Sequence, residues 1–224
     1  MLRNIALILI LGLFICSCGT KNYSGSQLSD EEKIIVGVLY FERNSNNEAL
    51  EPYRTGLTDM FITKLKNIPE LRVVEREKLD KIMSEFELGE MGAIDPETAQ
   101  KIGRLLGAQA VFYGSFTSMF GKDICLNGHF TRVETAEILY SAGDQCEISD
   151  KNLFKMVDNV SKNIIAKVKT NHKDLVADLY YSKGRTAEEN NDKDSALQYY
   201  QKALMYSPSH KSSQKALARL NSGS

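Results

Sequence analysis

Ile34-Ile35-Val36-Gly37-Val38-Leu39-Tyr40-Phe41 is an unbroken apolar run, bounded by Lys33 on one side and by Glu42 and Arg43 on the other. Its length and β-branched content read as a strand buried on both faces. Pro52 then opens a helix in which Leu57, Phe61 and Leu65 recur every four residues, and which ends before Pro69. Leu71-Arg72-Val73-Val74 reads as a second, short strand. Residues 76–88 place Leu79, Ile82, Met83 and Phe86 on one helical stripe that stops at Gly89. Asp95-Pro96 caps a third helix, which carries Ala99, Ile102, Leu105 and Leu106 as far as Gly107. Strands follow at 108–120, 124–134 and 137–147, the last two joined at Thr135-Ala136 as a hairpin. Leu153, Val157, Val160, Ile164, Ile165 and Val168 then mark a long amphipathic helix. The order β-α-β-α-α-β-β-β-α predicts an α/β fold over residues 33–170, a mixed-sheet α/β sandwich with strands from both halves in one sheet.

Upstream of this body, Arg3 precedes an apolar run of eleven residues from Ile5 to Ile15. A bilayer-spanning helix needs about 20, so residues 1–17 read as a secretory signal. Ile15-Cys16-Ser17-Cys18-Gly19 resembles the bacterial lipobox, with small Ser17 before the cysteine to be acylated. Cys18 fits that role, and Ile15 is too bulky for Cys16 to fill it. A covalent lipid on Cys18 is the one non-protein group expected, and it gives a firm membrane anchor at about 0.8 kcal/mol per buried methylene. By resemblance to lipoprotein sorting in two-membrane bacteria, Gly19 after the cysteine implies the outer membrane. Residues 18–32 are then a lipidated flexible tether, with Ser24, Gly25 and Ser26 at its centre and an r.m.s. span of about 20 Å.

Downstream, Tyr180, Gly184, Ala196, Tyr200, Ala203 and Pro208 fall at spacings that resemble one tetratricopeptide repeat over residues 175–221, with Ser212 to Leu220 as its capping helix. Gly184 and Ala196 let two antiparallel helices approach, Tyr180, Leu197, Tyr200 and Leu204 fill the interface, and Pro208 stops the second helix. One repeat rarely buries its own face, so this unit must lean on the body, on a second copy or on a partner.

The body carries a second resemblance. Leu71-Arg72-Val73-Val74-Glu75-Arg76, the following Leu79, Ile102-Gly103-Arg104-Leu105-Leu106-Gly107-Ala108 and a strand reaching Gly114 together resemble the CsgG family over about 140 residues. The resemblance implies an envelope lipoprotein with an α/β periplasmic core. Pore-forming members add membrane hairpins, each strand about 9–11 residues long. Here only residues 118–123 and 148–150 link the corresponding elements. The resemblance therefore reaches the core without implying transport.

Cys125 and Cys146 lie on the hairpin strands, in a compartment that permits disulfides. A two-residue loop at Thr135-Ala136 sets them opposite each other as a candidate disulfide. A three-residue loop with a bulge instead pairs Ile124 with Cys146 and Phe130 with Tyr140 on one apolar face, leaving two thiols. His129, His172 and His210 lack paired ligands at metal spacing, and no phosphate loop, dinucleotide fingerprint or nucleophile elbow occurs, so neither metal, cofactor nor enzymatic activity is expected. The 224 residues carry 28 basic and 29 acidic side chains, which gives no field for nucleic acid. Loss of residues 1–17 with Arg3 leaves 207 residues carrying 27 basic and 29 acidic groups.

The expectation is an outer-membrane-anchored, periplasm-facing lipoprotein that scaffolds a cell-envelope machine through protein–protein binding. A subunit of a CsgG-type export channel, which needs a homo-oligomer, is the alternative. An enzyme is the third, and it requires a polar pocket around His129.

Overall fold

The computed structural model describes residues 29–44, 48–85, 94–119 and 122–222. The signal sequence, Cys18 and most of the tether lie outside them, as do Phe86 and the expected helix stop at Gly89. Among the described residues, six strands form one sheet: β1 (Ile34–Val38), β2 (Glu42–Arg43), β3 (Leu71–Val73), β4 (Ala110–Met119), β5 (Asp123–Arg132) and β6 (Ile138–Glu147). The order is β3-β1-β4-β5-β6, with β2 also on β4. β1 is parallel to β3 and β4, and the β4-β5-β6 pairings are antiparallel. This is the mixed α/β sheet expected from the sequence. The chain leaves the sheet after Val38, inside the apolar run, and rejoins it just beyond the run as β2, a strand whose polar Glu42 and Arg43 gave no periodic signal.

Helices α1 (Glu51–Lys66), α2 (Arg76–Glu85) and α3 (Pro96–Leu106) precede the hairpin strands. Alternation along β1 and β4 sends Val36, Val38, Phe112 and Phe116 to one face with Leu57, Phe61 and Val157, and Leu39, Val111 and Tyr113 to the other with Ile102 and Leu106. Phe41, Phe61 and Phe112 interlock on the first face, their ring centroids 4.8–5.5 Å apart. α3 is fixed at both ends: Asp95 accepts a hydrogen bond from Thr98 N–H, and Gly107 closes it at φ 68°.

The hairpin register pairs Ile124 with Cys146 and Phe130 with Tyr140. Burial of one sheet face selects it over the tight two-residue turn, since a one-residue slip would turn Ile124, Leu126 and Phe130 outward. A register shift at Phe130/Thr131 and a positive φ of 58° at Ala136 lengthen the connection to residues 133–137.

The largest departure is α4 (Asp150–Glu189), a continuous helix of 40 residues and about 60 Å. Sequence reading ends the body at 170 and starts the repeat at 175; no break exists there. Ser149 caps the helix start by accepting from Asn152 N–H. Leu153, Val157, Val160, Ile164 and Val168 pack on the sheet, and Leu175, Val176, Ala177 and Tyr180 extend the same core. α5 (Lys193–Tyr206) then folds back on the far half of α4, and α6 (Lys211–Ser222) packs on α5. Proline at exposed position 173 is expected to lower stability in urea unfolding by about 3 kcal/mol, as inside any load-carrying helix; a near-neutral effect would mean a linker there.

Candidate functional site

The repeat residues occupy the positions their spacing assigns. Tyr180, Ala196, Tyr200 and Ala203 are buried. A Cβ on Gly184 would stand 2.4 Å from the Tyr200 ring, so only glycine lets α4 and α5 approach this closely. Tyr200 donates to Glu188 Oε2 at 2.5 Å, and Arg219 of α6 pairs with the same carboxylate at 2.6 Å. Burial and the Glu188 carboxylate push the Tyr200 phenol well above its ordinary range. Pro208 stands exposed after α5, where it cannot continue the helix.

Of the three supports open to a single repeat, the structure uses the body. Asp178, on α4, is 4% exposed. His210 Nε2–H donates to its Oδ1 at 2.9 Å, while His210 Nδ1 accepts from Ser213 N–H at 3.2 Å, which fixes the imidazole tautomer. Arg132, at the end of β5, brings Nε to 3.2 Å from Asp178 Oδ2, an ion pair whose N–H is turned off the line of contact. Ser212 on α6 donates to Glu134 Oε1 at 3.0 Å, and Tyr206 donates to Glu32, the last residue of the expected tether, which is thereby held against α5. β5, α4 and the α5–α6 corner are thus joined through polar groups. Burial raises the Asp178 and Glu134 carboxyls above the ordinary range, against the opposing effect of their hydrogen bonds.

Two adjoining hollows flank this junction. One, of about 220 Å³, lies between the α3–β4 turn and α4 and is lined by Arg104, Gln109, Glu134, Asp178, Tyr181 and Arg185, among others. It shares Gly107, Gln109, Ser182 and Thr186 with a wider trough of about 480 Å³ that runs toward Tyr199 and Asp192. Sequence reading missed this site. The available signal was Asp178, the one charge within Leu175 to Tyr180.

The cysteines do not form the candidate disulfide. Cys125 aligns with Gln145 and Cys146 with Ile124, so their side chains leave opposite faces of the hairpin and no bond joins them. Cys125 Sγ–H donates to Gln145 Oε1 at 3.6 Å, and Cys146 Sγ lies 3.9 Å from Met156 Sδ. His129 Nδ1 sits 2.8 Å from Ser141 Oγ on the sheet face opposite α4, away from both hollows. Among the described residues, no group of three or more His, Cys, Asp or Glu is disposed to hold a metal ion, and no helix is long and apolar enough to cross a membrane.

A family model described as curli production assembly/transport component CsgG matches residues 21–130. The first part of the α/β body, from β1 into β5, is similar to the CsgG family over those residues. A tetratricopeptide repeat model matches residues 177–210, the far half of α4 together with α5. Among solved structures, the chain is similar to the LpoB C-terminal domain from Salmonella enterica, with 20% identity over 51% of this chain and 83% of that one at a TM-score of 0.41. It is also similar to lipoprotein GNA1162 from Neisseria meningitidis, with 16% identity, 59% and 96% coverage and a TM-score of 0.42. A PelC dodecamer from Paraburkholderia phytofirmans gives 12% identity, 61% and 91% coverage and a TM-score of 0.38. No curated protein matches the chain.

Two outcomes test the junction. Gly184→Ala is expected to destabilise by about 1–3 kcal/mol in denaturant unfolding, because the Tyr200 ring is confined by α5 and α6. A carboxyl whose folded value is raised stabilises fully below its unfolded value, here 3.8 for Asp178, and loses that contribution as pH rises through the folded value. Asp178→Asn is therefore expected to flatten the fall of melting temperature with rising pH above about pH 4. An unchanged slope would show that Asp178 titrates in its ordinary range.

Proposed function

We propose that this chain is an outer-membrane-anchored lipoprotein facing the periplasm, which scaffolds a cell-envelope machine by binding protein partners. Cys18 carries the lipid, the residues between it and the turn at Asp30–Glu32 give reach, and the CsgG-like body and the repeat present the binding surfaces. The observation that carries this reading is the fusion of the two parts along α4: a helix shared by both, with a buried ion pair behind it, holds the repeat at a fixed angle to the body. A rigid two-part surface can hold partners in register, which a hinged repeat cannot do. The lipobox residues Ser17-Cys18-Gly19 supply the anchor in this account.

Two experiments test it. Cys18→Ala is expected to move the protein from the membrane to the soluble fraction and to remove acyl mass; an acylated variant would refute the anchor. A photo-crosslinking residue at Met205, which is 81% exposed on α5, is expected to capture another envelope protein in intact cells. Capture of nothing but copies of the same chain, assembled as a ring in detergent, would point to an export-channel subunit instead.

A further inference from the structure

We propose that the cavity between the α3–β4 turn and α4 binds a small zwitterion, a compound bearing an ammonium and a carboxylate on one short skeleton, such as a free α-amino acid or the end of a short peptide. This does not rest on the scaffold reading. The cavity's charged lining consists of Arg104, Glu134, Asp178, Arg185 and Glu189. Three of these are already answered. Asp178 faces Arg132 and His210, and Arg185 Nη2 pairs with Glu189 Oε1 at 3.3 Å. What remains is one charge of each sign. Glu134 accepts from the Ser212 hydroxyl and feels the Arg104 and His210 charges, yet among the described residues no side-chain hydrogen bond or ion pair joins Arg104 to it, so a gap is left between the two charges.

A lone cation drawn to Glu134 meets Arg104, and a lone anion drawn to Arg104 meets Glu134; a ligand carrying both charges satisfies the two together. A guanidinium fork suits a carboxylate, and a carboxylate held on one side by a hydroxyl keeps lone pairs free for an ammonium. The Tyr181 phenol stands beside Glu134 and offers a third polar contact, its acidity lowered by burial and by that carboxylate. The volume of about 220 Å³ equals about seven waters of the liquid, which admits an amino acid with a short side chain. The adjoining trough leaves an open path along α4 through which a longer peptide end could extend.

The test is calorimetric titration of the full mature chain with glycine, L-alanine, D-alanine, L-lysine and alanyl-alanine, with acetate and methylamine as single-charge controls. At least one zwitterion is expected to bind saturably at one site, at least about tenfold more tightly than either control. Preference for alanine over alanyl-alanine assigns the free amino acid, and the reverse assigns the peptide end. Arg104→Gln and Glu134→Gln should each weaken that binding by at least about tenfold. Both keep the fold, since Arg104 is exposed and glutamine at 134 retains an acceptor for Ser212. Absence of saturable binding by every probe up to about 10 mM would overturn the proposal, and so would binding that either variant leaves intact.

Discussion

A carboxylate with 4% of its surface exposed cannot stay ionised beside apolar neighbours without a cation, and for Asp178 that cation is Arg132. The requirement reaches across the molecule. Arg132 ends β5, Asp178 lies in the far half of α4, and His210, which holds the other carboxylate oxygen, sits at the corner between α5 and α6. One buried charge therefore ties the last inner strand of the sheet, the shared helix and the repeat's cap to a single geometry. Moving any one of them away leaves a buried charge exposed to an apolar surround, which typically costs about 3–5 kcal/mol.

That constraint explains how a single repeat is stable here. An isolated hairpin of this kind lacks a neighbour for its inner face. In this chain the neighbour is the body. α4 carries the core of the sheet into the repeat without a change of element, so that Val168 and Tyr180 belong to one apolar cluster. A second, smaller cluster of Ala187, Ala196, Tyr200 and Ala216 closes the far end, pinned by the Arg219–Glu188 pair. The two hollows beside α4 are a consequence of this arrangement. The ion pair holds α4 beside the α3–β4 turn, and the space left between them is walled by side chains from both parts.

Much of the fold was legible because its signals are local. Asp95, Pro96 and Gly107 mark both ends of α3, and Gly184 with Ala196 and Tyr200 marks the repeat. The hairpin register was half legible. Spacing alone allowed Cys125 to face Cys146, while the apolar alternation through Ile124 and Phe130 favoured the register that forms, because burial of a whole face outweighs one covalent opportunity. The continuity of α4 was not legible. Residues 171–174, Asn-His-Lys-Asp, are polar and carry no helix stripe, so they resembled a linker; tertiary packing on either side holds them in the helix. The junction was not legible either, since Arg132, Asp178 and His210 are far apart in sequence and only the folded topology brings them together.

The most direct test of this account is a double-mutant cycle between Arg132→Met and Asp178→Leu, read by equilibrium unfolding of the mature chain. Each single variant is expected to be destabilised by several kcal/mol and the double variant to recover part of the loss, with a coupling free energy above about 1 kcal/mol. Effects that add to within about 0.5 kcal/mol would contradict it, since the two parts would then be joined by helix continuity alone.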